Sequence, residues 1–204
     1  MAVTFGNTTY DVSSSSFSHN NNGDCLVVCS SSNTSAITGV TYNGVAMTQV
    51  GTAQNFATFA RDLQVWILVN PTAGSNTVAW TGGGANAYFG CISISGVDQT
   101  TPYTGLTTAS GTSSTPSISV TTTVDNAFPL SFGFYPNTPT AGTDTTLHLN
   151  VVGAALYCFK KTTAKTPTGA FSVAATMTSA AWILKGFGIN PVPPPNTTNF
   201  FAMM

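Results

Sequence analysis

An antiparallel β-sandwich is the fold class this sequence predicts, and three observations predict it. Apolar residues fall in short runs, many alternating with polar ones, between clusters of Gly, Pro, Asn, Ser and Thr. No segment carries the i, i+3, i+4 stripe of an amphipathic helix. Glu is absent from all 204 residues, while Thr, Val, Gly and Pro, which disfavour helices, dominate. A chain of this length can close one sandwich, so residues 1–190 are expected to form a single domain and 191–204 a Pro-rich tail.

The elements follow in order. Ala2 to His19 is Ser-rich and alternates weakly, which gives one or two short strands with Val3, Phe5, Tyr10, Val12 and Phe17 turned inward. Asn20 to Asp24 turns the chain into a short apolar strand, Cys25 to Ser30. Ile37 to Tyr42 and Val45 to Gln49 flank Asn43-Gly44, the pair that a type I′ hairpin turn demands because both central residues need positive φ. Gln54 to Ala60 fits no single element. From Leu63 to Val97 an apolar strand (to Val69), a turn around Pro71 and Gly74, an alternating strand (Thr77 to Thr81), a Gly-rich loop and a final strand (Tyr88 to Gly96) follow in close order. Ile92 and Ile94 break the alternation of that final strand, so it is expected to be buried on both faces.

Asp98 to Pro116 reads as a long loop, nearly free of large apolar residues, with Tyr103 as its exposed aromatic. Ser117 to Val124 alternates. Ala127 to Tyr135 is rich in aromatics, and Pro129 within it points to an edge strand or a bulge. After a second loop, Pro136 to Thr146, come strands at Leu147 to Val152, Ala155 to Lys161, Phe171 to Met177 and Ala181 to Ile189. Two stretches look like distant copies: VWILVNPTAGSNTVAW leading to GCISISGV, and LYCFKKTTAKTPTGAFSVAATMTSAAW leading to LKGFGIN. Each is preceded by an Asp and an apolar strand, at Asp24 and Asp125. Two similar halves, with sheets facing each other, are the architecture such a repeat implies.

Composition excludes several functions. Charged residues make up 5% of the chain, about a fifth of the usual share, and the net charge is −1. Five Lys and Arg release too few counterions to hold a nucleic acid. The opening MAVTFGNTTY has neither a basic start nor an apolar core, so no secretory leader is expected, and no window is apolar for long enough to span a membrane as a helix. The four cysteines sit inside apolar runs without metal-binding spacing and read as reduced core residues. Cys25 and Cys29, four apart on one strand and so roughly 13 Å from each other, cannot pair.

No catalytic constellation is legible. All six acids are Asp, most in turn settings where Asp bonds its own backbone, and no pair of carboxylates faces a common centre. His19 and His148 lack a GxSxG nucleophile elbow, and His148, flanked by Leu147 and Leu149, is expected to point outward. Catalytic residues, cofactors and metals are therefore none in this reading. Tyr42, Trp66, Trp80, Tyr88, Phe134, Tyr135 and Trp182 belong to the core, which leaves Tyr103 as the candidate for surface binding. In the tail, NPVPPPNTTNFFAMM, a stiff proline spacer precedes Phe200, Phe201, Met203 and Met204, which either tuck back onto their own domain or form the candidate contact with another subunit.

The order GVTYNGVAMTQVG, LQVWILVNPTAGSNTVAW, ISGVDQTTPY resembles a family of β-sandwich domains of tailed-phage structural proteins and bacterial surface proteins. The resemblance covers Leu26 to Tyr103 and implies a jelly-roll or immunoglobulin-like sandwich with no activity attached. It adds an expectation: a non-enzymatic virion protein made in the host cytoplasm, as capsid decoration, minor capsid or fibre component. Its partners would be copies of itself, a trimer among the forms, and other virion proteins such as the major capsid protein. A carbohydrate-binding or adhesion module, recognising host surface glycans through the Asp98 to Pro116 and Pro136 to Thr146 loops, is the alternative.

Overall fold

A computed structural model describes residues 1–12, 15–33, 37–83, 87–151 and 153–194. Among them the chain is all-β, with one 3-10 turn at Ala57–Phe59 and no α-helix. The strands form four antiparallel sheets. In the first half, β1 (Thr4–Val12), β10 (Tyr88–Ser95), β3 (Cys25–Asn33), β8 (Arg61–Val69) and β6 (Thr48–Gln49) lie side by side, with β7 (Gln54–Phe56) also on β8. The smaller sheet facing it is β2 (Ser16–Asn21), β9 (Gly74–Gly82), β4 (Ile37–Tyr42) and β5 (Val45–Ala46). In the second half, β11 (Tyr103–Ser113), β18 (Ala180–Ile189), β13 (Phe128–Phe134), β16 (Leu156–Lys161) and β15 (Thr145–Val151) face β12 (Ser117–Thr121), β17 (Ala170–Thr176) and β14 (Thr140–Ala141).

Both halves wind alike. The first strand lies beside the last and the second beside the next-to-last, β1-β10 with β2-β9, then β11-β18 with β12-β17. This back-and-forth winding between two sheets is the jelly roll. The halves share even an irregularity. On β1 the pairing jumps between Phe5 and Thr8, and on β11 between Thr104 and Thr107, each after two regular pairs. Gly6 and Gly105 occupy matching places in the two bulges, and Gly105 takes φ +66° there. The two stretches that resemble each other in sequence are β8-β9-β10 and β16-β17-β18, which hold equivalent positions.

Three cores separate the four layers. Val27, Val65, Ile92 and Ile94 from the first large sheet meet Leu130, Phe132, Cys158 and Phe187 from the second in the central one. Leu26, Val28, Val78 and Phe89 pack beneath the first small sheet, and Ile118, Val120, Val173 and Leu184 beneath the other. The large sheets are therefore covered on both faces, which is why β10 lacks clean alternation. The small sheets have a wet outer face of hydroxyl rungs, such as Ser18 with Ser75 at 2.8 Å and Thr38 with Thr81 at 3.1 Å.

Several expectations change. Asp98 to Pro116 is not a loop: most of it is β11, paired with β18 along its length. Its small residues are structural, since the Trp182 indole lies over Gly111 and donates from Nε1 to Ser113 Oγ at 3.0 Å. Tyr103 consequently opens a strand and packs on Phe187, ring centroids 5.3 Å apart, instead of standing on an exposed loop. Thr140–Ala141 likewise adds a strand inside the second supposed loop. His148 does not point outward. A register shift between Leu147 and Leu149 breaks the alternation, leaving Leu147 exposed and turning His148 against the edge of Phe5 at 5.0 Å. Pro129 lies on an interior strand, but pairing with β16 starts only at Leu130, so the ladder on that side is not interrupted. Val45 to Gln49 is split, β5 staying in the small sheet and β6 joining the large one beyond buried Met47. Around the Asn43-Gly44 turn both residues have positive φ, 50° and 76°, as the hairpin requires.

Gly90 sets the spacing between the halves: a Cβ built on it would lie 2.2 Å from Leu149 Cδ2 and 3.1 Å from Cys29 Sγ. Gly90→Val is expected to destabilise the protein by about 1–3 kcal/mol through overpacking, read as a lower urea midpoint at unchanged slope. An unchanged midpoint would show that the central core is loosely packed.

Candidate functional site

The arrangement closest to catalytic chemistry lies around His19 of β2. Its Nε2 is 2.8 Å from Ser93 Oγ on β10, and its Nδ1 is 3.0 Å from Thr9 Oγ1 on β1. A Ser-His contact is the first half of a nucleophilic pair. Here a Thr takes the orienting place, and both His19 and Ser93 are fully buried, closed to solvent. The Tyr42 hydroxyl has its one hydrogen between the carbonyls of Gly74 at 2.8 Å and His19 at 3.2 Å. Burial lowers the imidazole to about 4, which keeps it neutral at neutral pH. The cluster ties the small sheet to two strands of the large one.

The five cations are all engaged within the fold. Arg61 stacks on Tyr88, 4.4 Å from guanidinium carbon to ring centroid, with Phe134 at 5.5 Å. Lys160 sits between Phe5 and Phe128 at 4.9 and 4.8 Å, bridging the halves. Lys161 and Lys165 meet Asp144 Oδ2 at 3.0 and 2.5 Å, and these cations, with the Thr162 hydroxyl, hold the Asp144 carboxyl well below the usual range. Lys185, only 1% exposed, donates to the backbone oxygens of Val50 at 3.1 Å and Thr52 at 2.5 Å. Burial lowers its ammonium to about 8.

Three of the six acids do turn work. Asp24 accepts from the Gly96 and Val97 amides at 2.8 and 3.3 Å, Asp98 from Thr100 and Thr101 at 2.8 and 3.3 Å, and Asp125 from Thr168 at 3.0 Å. Asp24 and Asp125, although placed alike in the repeat, therefore cap different turns. All four cysteines are buried free thiols, and burial pushes Cys29 up to about 12, far from a reactive thiolate.

Two recesses stand out among the described residues. The larger, about 660 Å³, opens where the halves meet at the root of the proline spacer; Val3, Val124, Ala164, Val192, Pro193 and Pro194 line it with the backbone turns at Asp98 and Asp125. Its lining is mainly apolar, so it suits an apolar side chain better than a charged metabolite. The smaller, about 280 Å³, is a groove between Thr48, Leu68, Thr100 and Tyr103. Of the residues singled out in the sequence, Tyr103 reaches this groove half-buried, whereas Phe200, Phe201, Met203 and Met204 lie outside the described residues. His19-Ser93 and Lys185 escaped sequence reading. An isolated His in SFSHNN and a Lys in LKGFGIN carry no local signal of burial, because the partners come from Ser93 and Val50, far along the chain.

His19 makes stability depend on pH. The unfolded imidazole, near 6.5, binds more protons than the folded one between pH 6.5 and 4, so stability falls as pH drops through that window. The loss from His19 is expected to approach roughly 3 kcal/mol. It should shrink clearly in His19→Gln when urea midpoints at pH 7 and 4.5 are compared; equal losses in both proteins would refute the assignment.

No family model, no curated protein and no solved structure matches this chain.

Proposed function

We propose that this chain is a non-enzymatic building block of a phage virion, a capsid decoration, minor capsid or fibre component that works as a homo-oligomer beside other virion proteins. The observation that carries the reading is the use of charge. Each of the five cations is engaged inside the fold, so the outer sheets present Ser and Thr hydroxyls with little charge to keep copies apart. The jelly-roll winding adds an analogy of architecture, since viral capsid domains are built on it. Light scattering on the purified chain and proteomics of purified particles test the reading. An oligomer in solution and a stoichiometric band in the particle are expected; a monomer missing from particles would overturn it.

The groove beside Tyr103 favours a second reading, a module that binds surface glycans. A half-buried aromatic next to the hydroxyls of Thr48 and Thr100 has the mixed character that saccharides use. On a glycan array this reading expects at least one retained class, lost when Thr48→Trp fills the groove; an empty array removes it.

A further inference from the structure

The chain leaves the second jelly roll pinned to the first. Val97 and Pro191 form an antiparallel bridge, the Asp98 amide donates to Asn190 at 3.0 Å, and the Val192 amide donates to Gly96 at 2.9 Å. Pro193 and Pro194 then become a wall of the 660 Å³ cleft. Nine large apolar side chains are exposed among the described residues, and three of them, Met1, Val124 and Val192, line this one cleft. The greasiest spot on a hydroxyl-covered surface thus lies at the root of a spacer that leads, six residues after Pro194, to Phe200-Phe201-Ala202-Met203-Met204.

The occupant follows from size, chemistry and stiffness. Two Phe and two Met offer large apolar area, and Met adapts to irregular walls. At the lips Asp98 already accepts from the Thr100 amide of its own turn and Asp125 from the Thr168 amide of a neighbouring one, so an uncharged guest breaks no ion pair. Six residues span up to about 20 Å when extended, enough to cross to an adjacent molecule. Consecutive prolines favour an extended polyproline course, so a return to the chain's own cleft would leave only the four residues Asn196 to Asn199 for the reversal. Reversing direction over so few residues would strain the hinge, and short strained hinges favour exchange between molecules.

We propose that the Phe200–Met204 segment of a second copy of this chain seats in the cleft, two copies exchanging segments reciprocally about a twofold axis. The inference rests on the proposed role as an assembling module and names the contact it uses.

Disulfide trapping in the full chain tests it. Val124→Cys combined with Phe201→Cys is expected to give, after mild oxidation, a dimer linked between chains, and the two single variants mixed should give the linked heterodimer. A link within one chain, or no link, overturns the exchange. Val124→Asp, at an exposed position, and removal of residues 196–204 should each raise the concentration for half-dissociation at least tenfold, while the melting temperature of the dissociated chain, read at high dilution, holds. Unchanged assembly in both overturns the inference and leaves the structural role standing; a wild-type monomer absent from particles removes the role itself.

Discussion

Everything in this molecule depends on pressing two large sheets face to face. Strands that serve both a central and an outer core must be apolar on both sides, and β3, β10, β13 and β18 are buried almost from end to end. A polar group left unpaired in that stack costs about 1–3 kcal/mol; the buried Ser30 and Ser31 hydroxyls on β3 go without a partner, while some larger polar side chains find one. Gln64 shows the solution: its amide exchanges two bonds of 3.0 Å with the backbone of Ile37, joining a large sheet to a small one. His19 does the same between β2, β1 and β10, and Lys185 does it between β18 and the chain at Val50 and Thr52 of the other half.

The scarcity of charge has a counterpart in where the charges are placed. Lys160 lies between rings from both halves, and Lys185 fastens one half to the other through carbonyls alone. A buried ammonium without a carboxylate is costly at neutral pH, which its lowered affinity for protons expresses. Retaining it in so poorly charged a chain fits a role in fixing how the halves register, because two apolar sheets could otherwise slide over one another.

Legibility followed locality. Turn chemistry at Asn43-Gly44, the strands from Cys25 to Val97 and the doubly buried β10 were readable because their signals lie within a few residues. The winding of two similar halves was hinted at by the paired stretches, whereas the matching bulges at Gly6 and Gly105 leave no mark in composition. β11 was misread as a loop because its small residues gain their apolar partner from Trp182, far away in sequence. The candidate sites were less legible still. The cleft is assembled from both termini and from turns near Asp98, Asp125 and Ala164, and only its shape brings them together.

The same shortage of charge raises the question of what keeps the sheet edges from pairing at random. Proteins commonly blunt an edge with Lys or Pro. β11 has neither along its whole length, and β1 has only Asp11. Bulges take their place: the edge strands β1, β11 and β15 each carry one, and each twists the strand where another chain would align. On β1 the side chain of Asn22 also accepts from the Asn7 amide at 3.0 Å, closing a group that would be free to pair. With the edges managed by geometry and the outer faces by hydroxyls, the apolar cleft at the spacer is the feature left without such protection. A surface so arranged discourages indiscriminate strand addition.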